Sequence, residues 1–379
     1  MNAPLSDVSV VDFSELLPGP FFTQSLVELG ADVLKVERPP HGDNLRRLAP
    51  GVFASVNRGK RSLLADLKNP AETARIIDIA SAADVLVESY RPGVMSRLGL
   101  DYATLSARNP RLIYVSLTGY GQTGPDAMLP GHDLNYLAAS GSLALSGRVD
   151  GPVEQTFGLP VADLGGAMAA LSATLAALYQ RERSGRGQYL DVSLTDSIVH
   201  WMNPRLGHFS QLGVSERGEQ RRLSRERAAY GTFRCRDGRE ITIAALEDHF
   251  WKRLVRVLSV GPYADPTFDD HRRRAAEAAA INGAIARALI EIDCCDAVQR
   301  LVDADVPVMP VLAPSDLATH PQFAHRGLIV ETEGGPFCRF PVALEGMLNV
   351  PCEATPLTPS VDRGGVRAEP IGPEPEPAA

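Results

Sequence analysis

The N-terminal third of the chain alternates between two residue patterns. That alternation limits the accessible folds more than any other feature of the sequence. Short β-rich runs occur at 8–13 (VSVVDF), 32–37 (DVLKVE), 84–89 (DVLVES) and 112–118 (LIYVSLT). Helix-like stretches lie between them at 19–30 and 70–82, the second opening with Asn69 as cap and Pro70 at the first helical position. Strands separated by helices pair in parallel through right-handed crossovers, so an α/β domain with a parallel sheet is expected.

Further along, residues 119–162 are rich in Gly and Pro and read as loop with a short helix. An Ala/Leu-rich helix is expected over 163–183, closed by basic residues and Ser184-Gly185. A strand-like run follows at 188–194. The polar, Arg-rich segment 205–229 reads as a linker, and 230–246 as a hairpin around Asp237-Gly238. Helical patterns at 249–258 and 276–303 suggest a smaller lobe, and 306–321 returns to sheet. The expected division is a large domain over 1–204, the linker 205–229, a small α/β domain over 230–315, a return to the large domain over 316–352, and an extended Pro/Glu/Gly-rich tail over 353–379.

Composition removes several function classes. The 379 residues are 44% hydrophobic and 22% charged, as in ordinary globular chains. A net charge of -8 argues against nucleic-acid binding, which needs an excess of Lys and Arg facing phosphates. A local basic pocket for one phosphorylated ligand remains compatible with it. The cysteines stand at 235, 294, 295, 338 and 352, an odd set with no CxxC pair, so a reduced, cytoplasmic setting is expected. The N-terminus has neither a basic segment nor a long apolar one, so no signal peptide is read. The longest apolar stretch, 167–178, is interrupted by Ser172 and Thr174 and is too short to span a bilayer, so no membrane partner is expected.

The first strand-to-helix turn holds only Gly19, without the GxGxxG pattern of dinucleotide binders. GKRS at 59–62 is not a phosphate loop, because alanine stands at 54 where glycine is required. Arg38, Arg91, Arg97 and other early basic residues follow β-runs, where a parallel sheet opens its ligand crevice; they form either an anion-binding rim or a solvated charge set. His132, in the polar loop PGHDLNY, suits general base chemistry or a structural hydrogen bond. Asp163 reads first as the cap of its helix, a place that can also stabilise a developing oxyanion. Gly165-Gly166 just inside that helix makes sense where a ligand or another backbone comes close. Glu247, after a β-run and before Phe250 and Trp251, is either a buried acid or a helix-start acid. The scattered histidines form no metal site.

Several ordered segments together resemble the class III CoA-transferase (CaiB/BaiF) family, which includes the α-methylacyl-CoA racemases. They are 18–39, 57–70, 84–102, 109–125, 131–141 and 162–197, so the resemblance runs along nearly the whole chain to about residue 350. It implies a Rossmann-like large domain, a smaller domain inserted late in the chain and an interlocked homodimer. It also implies a CoA thioester as substrate, with no tightly bound cofactor beyond that substrate's own coenzyme A. Arg38, Ala65, Lys68, Tyr90, Arg91 and Arg97 match CoA-contacting positions, and Asp163, His132 and Glu247 match catalytic ones.

Within the family the racemase branch is the expected one, because His132 and the AALEDHFW segment around Glu247 resemble it. The reaction implied is proton exchange at the α-carbon of a 2-methylacyl-CoA. Asp163 and His132 would be opposed bases, with Glu247 tuning His132. The alternative is CoA transfer between carboxylic acids through an aspartyl-CoA at Asp163. A non-catalytic acyl-CoA-binding protein, with Asp163 only a cap, is the third reading.

Overall fold

The computed structural model describes residues 3–155, 158–331 and 335–342. It divides into two compact units. The first holds a six-stranded parallel sheet of β1 (Ser9–Asp12), β2 (Asp32–Glu37), β3 (Arg61–Leu64), β4 (Val85–Glu88), β5 (Ile113–Thr118) and β6 (Tyr189–Ser193). The order across the sheet is β3-β2-β1-β4-β5-β6, so the winding reverses between β1 and β4. That is a doubly wound, Rossmann-like arrangement, whose ligand crevice opens beyond the carboxyl ends of the strands at the reversal.

Successive residues of each strand serve opposite faces. Val10, Val85, Val87, Ile113, Val115 and Leu117 join the core formed with the helices Pro18–Glu28, Val161–Ser184 and Leu194–Trp201. Val11, Val36, Leu86 and Tyr114 join the core on the other face, with the helices Pro70–Ser81 and Tyr102–Arg108. Both faces are covered, which is why these strands read as continuous apolar runs. The Pro70–Ser81 helix starts as its sequence suggests: Asn69 Oδ1 accepts the Ala71 N–H at 3.0 Å.

The long helix runs from Val161 to Ser184, two residues earlier than its sequence suggests, with Pro160 in the cap position. Its 24 residues are long and apolar enough, by composition alone, to cross a membrane, a length the broken 167–178 run did not announce. Here it is a core helix, with Ala162, Ala167, Ala170, Leu171, Ala177 and Leu178 buried against its neighbours. A Cβ on Gly166 would lie 2.2 Å from Leu194 Cδ2, and one on Gly165 would lie 2.9 Å from Trp201 Cη2. The glycine pair therefore admits a neighbouring helix, not a ligand.

The second unit comprises residues 144–156 and 204–320. Its sheet is antiparallel, β7 (Tyr230–Arg234), β8 (Glu240–Ala244) and β9 (Val308–Pro310), with Gly238 at φ 80° in the hairpin turn. Phe233, Ile241, Ile243, Trp251, Leu254, Ile281 and Leu301 form its core. Residues 205–229 differ from the expected linker. They carry the helices Asn203–Leu212 and Arg217–Arg225. Arg221 is buried there, donating to the carbonyls of Ala144 at 3.0 Å and Gly151 at 2.6 Å. The Arg-rich segment reads as a linker because the carbonyls that Arg221 meets lie far away in sequence. The return to sheet after residue 306 is confined to β9, which pairs with β8 and stays in the small unit. The 353–379 tail lies outside the described residues.

Candidate active site

The loops that leave β1, β4 and β5 surround a cavity of about 810 Å3 in the first unit. Glu15 to Pro18 follow β1, Ser89 to Pro92 follow β4, and Gly119 and Tyr120 follow β5. His132, Asn135, Tyr136, Asp163 and Leu194 also line it. A second cavity of about 290 Å3 is lined by Arg38, Ala65, Asp66, Lys68, Tyr90 and Arg97, together with Glu15 and Glu37.

Asp163 sits in the first turn of the Val161–Ser184 helix. Sequence reasoning gave it the cap of that helix; the structure gives the cap to Asp133. Asp133 Oδ1 accepts the backbone N–H groups of Ala162 at 2.6 Å and of Asp163 at 3.2 Å. Asp133 is itself the first residue of the helix Asp133–Ala139, so one helix start satisfies another. The Asp163 carboxylate is thereby released from capping. Burial, and then the negative charge of Asp133, push its pKa up to about 7. It is held at the boundary between proton carrier and anion at neutral pH.

His132 occupies the cap position of the Asp133–Ala139 helix and is exposed in the same cavity as Asp163. Its backbone N–H donates to Asn135 Oδ1 at 3.0 Å, which fixes the turn that presents it. The floor beneath is aromatic. Tyr136 packs edge-on to Tyr120 at 5.3 Å and donates its hydroxyl to the Gly131 carbonyl at 2.6 Å. A Cβ on Gly119 would lie 2.3 Å from the Tyr136 ring, so only glycine fits there.

The wall after β4 is built on Glu88. Its carboxylate accepts the Tyr90 N–H at 2.8 Å and the Ser116 hydroxyl, and burial pushes its pKa up to about 7. Tyr90 and Arg91 are thus set by a buried acid at the strand end. Glu88, Asp133 and Glu15 escaped sequence reasoning. Asp133 stood beside His132 at a helix start, which was the one available signal for it.

Of the residues singled out from sequence, Asp163, His132 and Arg91 share the larger cavity. Arg38, Ala65, Lys68 and Arg97 share the smaller one, and Tyr90 lines both. Glu247 is exposed in the second unit, in the cap position of the helix Asp248–Val257. There it lines a cavity of about 550 Å3 with His271 and Arg274. The buried Arg274 donates to the Leu246 carbonyl at 2.9 Å and to Asp248 Oδ1 at 2.7 Å, fixing the residues on either side of Glu247. Among the described residues no group of three or more His, Cys, Asp or Glu side chains could hold a metal ion.

A doubly wound sheet whose crevice, beyond the carboxyl ends of its strands, presents the buried Asp163 carboxyl places the chain among α/β proteins with a ligand site at the reversal of the sheet. More particularly, it belongs to CoA-transferase family III, an enzyme family whose sequence profile matches residues 5–358. It is 35% identical to the acetyl-CoA:oxalate CoA-transferase of Acetobacter aceti, covering 98% of this chain and 97% of that protein. It is 32% identical to the human alpha-methylacyl-CoA racemase, covering 95% and 89%. A CaiB/BaiF family protein from Brucella suis superposes with a TM-score of 0.80 at 31% identity, covering 91% of this chain and 94% of that one.

Proposed function

We propose that the chain transfers coenzyme A between carboxylic acids, with Asp163 as nucleophile. The observation that carries this reading is the release of the Asp163 carboxylate from capping by Asp133. Ionised, it attacks the thioester carbonyl of an acyl-CoA and expels CoA thiolate, leaving a mixed anhydride. The thiolate then attacks the Asp163 carbonyl, forming aspartyl-CoA and releasing the donor acid. The acceptor carboxylate attacks that thioester, giving a second anhydride and free thiolate. Attack of the thiolate on the acceptor acyl carbonyl yields the new acyl-CoA and restores Asp163. Arg38, Lys68 and Arg97 in the smaller cavity supply positive charge for the phosphates of CoA. The names of the relatives support the same reading, since transferases from several organisms stand among them.

A second reading is racemisation of a 2-methylacyl-CoA. It is favoured by an Asp163 carboxyl pushed up to about 7 in a cavity that also holds His132, a pairing suited to moving protons. This reading asks Glu247 to act on His132, whereas transfer asks only for Asp163.

Two incubations separate the readings. With acetyl-CoA, oxalate and hydroxylamine, transfer predicts oxalyl-CoA and a hydroxamate on Asp163 found by peptide mass mapping. With a 2-methylacyl-CoA in D2O and no acceptor acid, racemisation predicts deuterium at the α-carbon. Wash-in without hydroxamate on any tested acyl-CoA rejects the transferase reading.

A further inference from the structure

Glu15 and Tyr90 are the two residues common to both cavities, so they form the wall between them. Glu15 is half-buried, and its carboxylate meets no hydrogen-bond donor among the described residues. Burial pushes its pKa up, while the facing charge of Arg38 opposes that shift. Other charges near it are already matched. Lys35 pairs with Asp43 at 3.1 Å, and Glu37 pairs with Arg46 at 2.7 Å. A half-buried carboxylate that lines both cavities and accepts no donor from the described residues is open to a donor on a ligand that occupies them.

The loop carrying Glu15 is fixed from several sides. The Glu15 N–H donates to Ser89 Oγ at 3.1 Å, on the loop after β4. The Leu16 N–H donates to Asp43 Oδ2 at 3.2 Å and Leu16 adopts φ 64°, a left-handed conformation that a branched residue holds only when its surroundings impose it. The Ser14 N–H donates to Asp12 Oδ1 at 2.8 Å, and Lys35 Nζ donates to the Ser14 carbonyl at 2.6 Å. Glu15 is thus held at the shared wall by three buried charged groups, Asp12, Lys35 and Asp43, and a strained neighbour.

Resting on the reading of the chain as a CoA-thioester enzyme, we propose that Glu15 is a specificity-determining residue that accepts an amide N–H of the pantetheine arm. The arm would pass the Glu15–Tyr90 wall on its way from the smaller cavity to Asp163. The chemistry of the two ends of CoA differs in the way this wall requires. Phosphates are drawn to Arg38, Lys68 and Arg97 and repelled by Glu15. The pantetheine arm is uncharged and carries amide donors, which a carboxylate accepts strongly. Glu15 therefore keeps the phosphates on one side of the wall and sets the register that delivers the thioester to Asp163.

The test is calorimetric titration of the full chain with CoA and, separately, with adenosine 3′,5′-bisphosphate, which lacks the pantetheine arm. Glu15→Ala is expected to weaken CoA binding about tenfold. It should leave the bisphosphate unchanged or bound more tightly, since a repelling charge is gone. Glu15→Gln keeps an acceptor oxygen in the same volume and should restore part of the CoA affinity. Equal weakening of both ligands would mean a distorted loop and would overturn the proposal, as would CoA binding unchanged by Glu15→Ala. Wild-type protein that binds no CoA overturns the CoA reading itself; wild-type binding with an indifferent Glu15→Ala overturns only the role of Glu15.

Discussion

Asp133 caps the helix that carries Asp163: its Oδ1 accepts the Asp163 N–H at 3.2 Å and that of Ala162 at 2.6 Å. The same carboxylate that satisfies the helix start also raises the pKa of the aspartate it serves. Structure and reactivity at this site are therefore coupled through one residue, and substitutions of Asp133 separate them. Asp133→Asn keeps an acceptor oxygen and removes the charge. It should leave the melting temperature nearly unchanged and lower the Asp163 pKa below 7, read by carboxyl 13C chemical shift against pH. Asp133→Ala should also cost about 1 kcal/mol in denaturant unfolding, the usual value of a lost cap.

The raised pKa of Asp163 has a signed consequence for stability. Its folded pKa, about 7, lies above the ordinary aspartate value of 3.8 that holds in the unfolded chain, so the folded state binds more protons between those values. Wild-type stability should therefore fall as pH rises through that window. Asp163→Asn removes the ionisation. The variant should match wild type near pH 4 and exceed it by on the order of 2–4 kcal/mol at pH 8–9. Parallel unfolding curves for the two proteins across that range would refute the assignment.

Activity should move in the opposite sense. If Asp163 attacks as a carboxylate, kcat/KM for CoA transfer rises with pH to a plateau above about 7. Asp163→Asn should lower turnover by about a thousandfold or more without loss of fold. A variant that stays fully active would return Asp163 to a structural role.

Below the Glu15 loop, Lys60 Nζ lies 3.4 Å from Asp12 Oδ2, both without exposed side-chain surface. Lys60 also donates to Thr23 Oγ1 at 2.7 Å and to the Pro20 carbonyl at 3.0 Å. Lys60→Met leaves Asp12 buried with one partner fewer, and should cost about 3–5 kcal/mol. The double variant with Asp12→Asn should recover much of that loss, measured by urea unfolding in a double-mutant cycle.

Gly166 faces Leu194 closely enough that a methyl group has no room. Gly166→Ala gains helix propensity of about 1 kcal/mol but overpacks the contact, and a net loss of about 1–2 kcal/mol is expected. Pairing it with Leu194→Ala should make the two changes less damaging together than their sum.

How much of this was legible beforehand depended on where each signal resides. β1, β2, β4 and β5 were readable because burial on both faces writes continuous apolar runs into the sequence. β3 was not, since Arg61 and Ser62 make half of a four-residue edge strand polar. The Asn69-Pro70 helix start is a local signal and was visible. The cap on the Asp163 helix comes from thirty residues upstream, so the local sequence offered Asp163 itself as the only candidate. Glu15 is one unremarkable acid in SELLPGP; its position at the junction of two cavities is a property of the assembled sheet. The resemblance carried Arg38, Ala65, Lys68, Tyr90, Arg91 and Arg97 as a set; five of them line one cavity, Arg91 lines the other, and Glu247 stands on the second unit.

Leu194 constrains how the cavity can change. It is 3% exposed, lines the cavity that holds Asp163, and is the side chain for which Gly166 leaves space. Trimming it to admit a bulkier acyl group would also hollow out the contact between two core helices. At this position a wider choice of substrate and a lower melting temperature arrive by the same substitution. Lineages of this fold that broaden their range through Leu194 would need a compensating change elsewhere, and Gly166 is where to look for it.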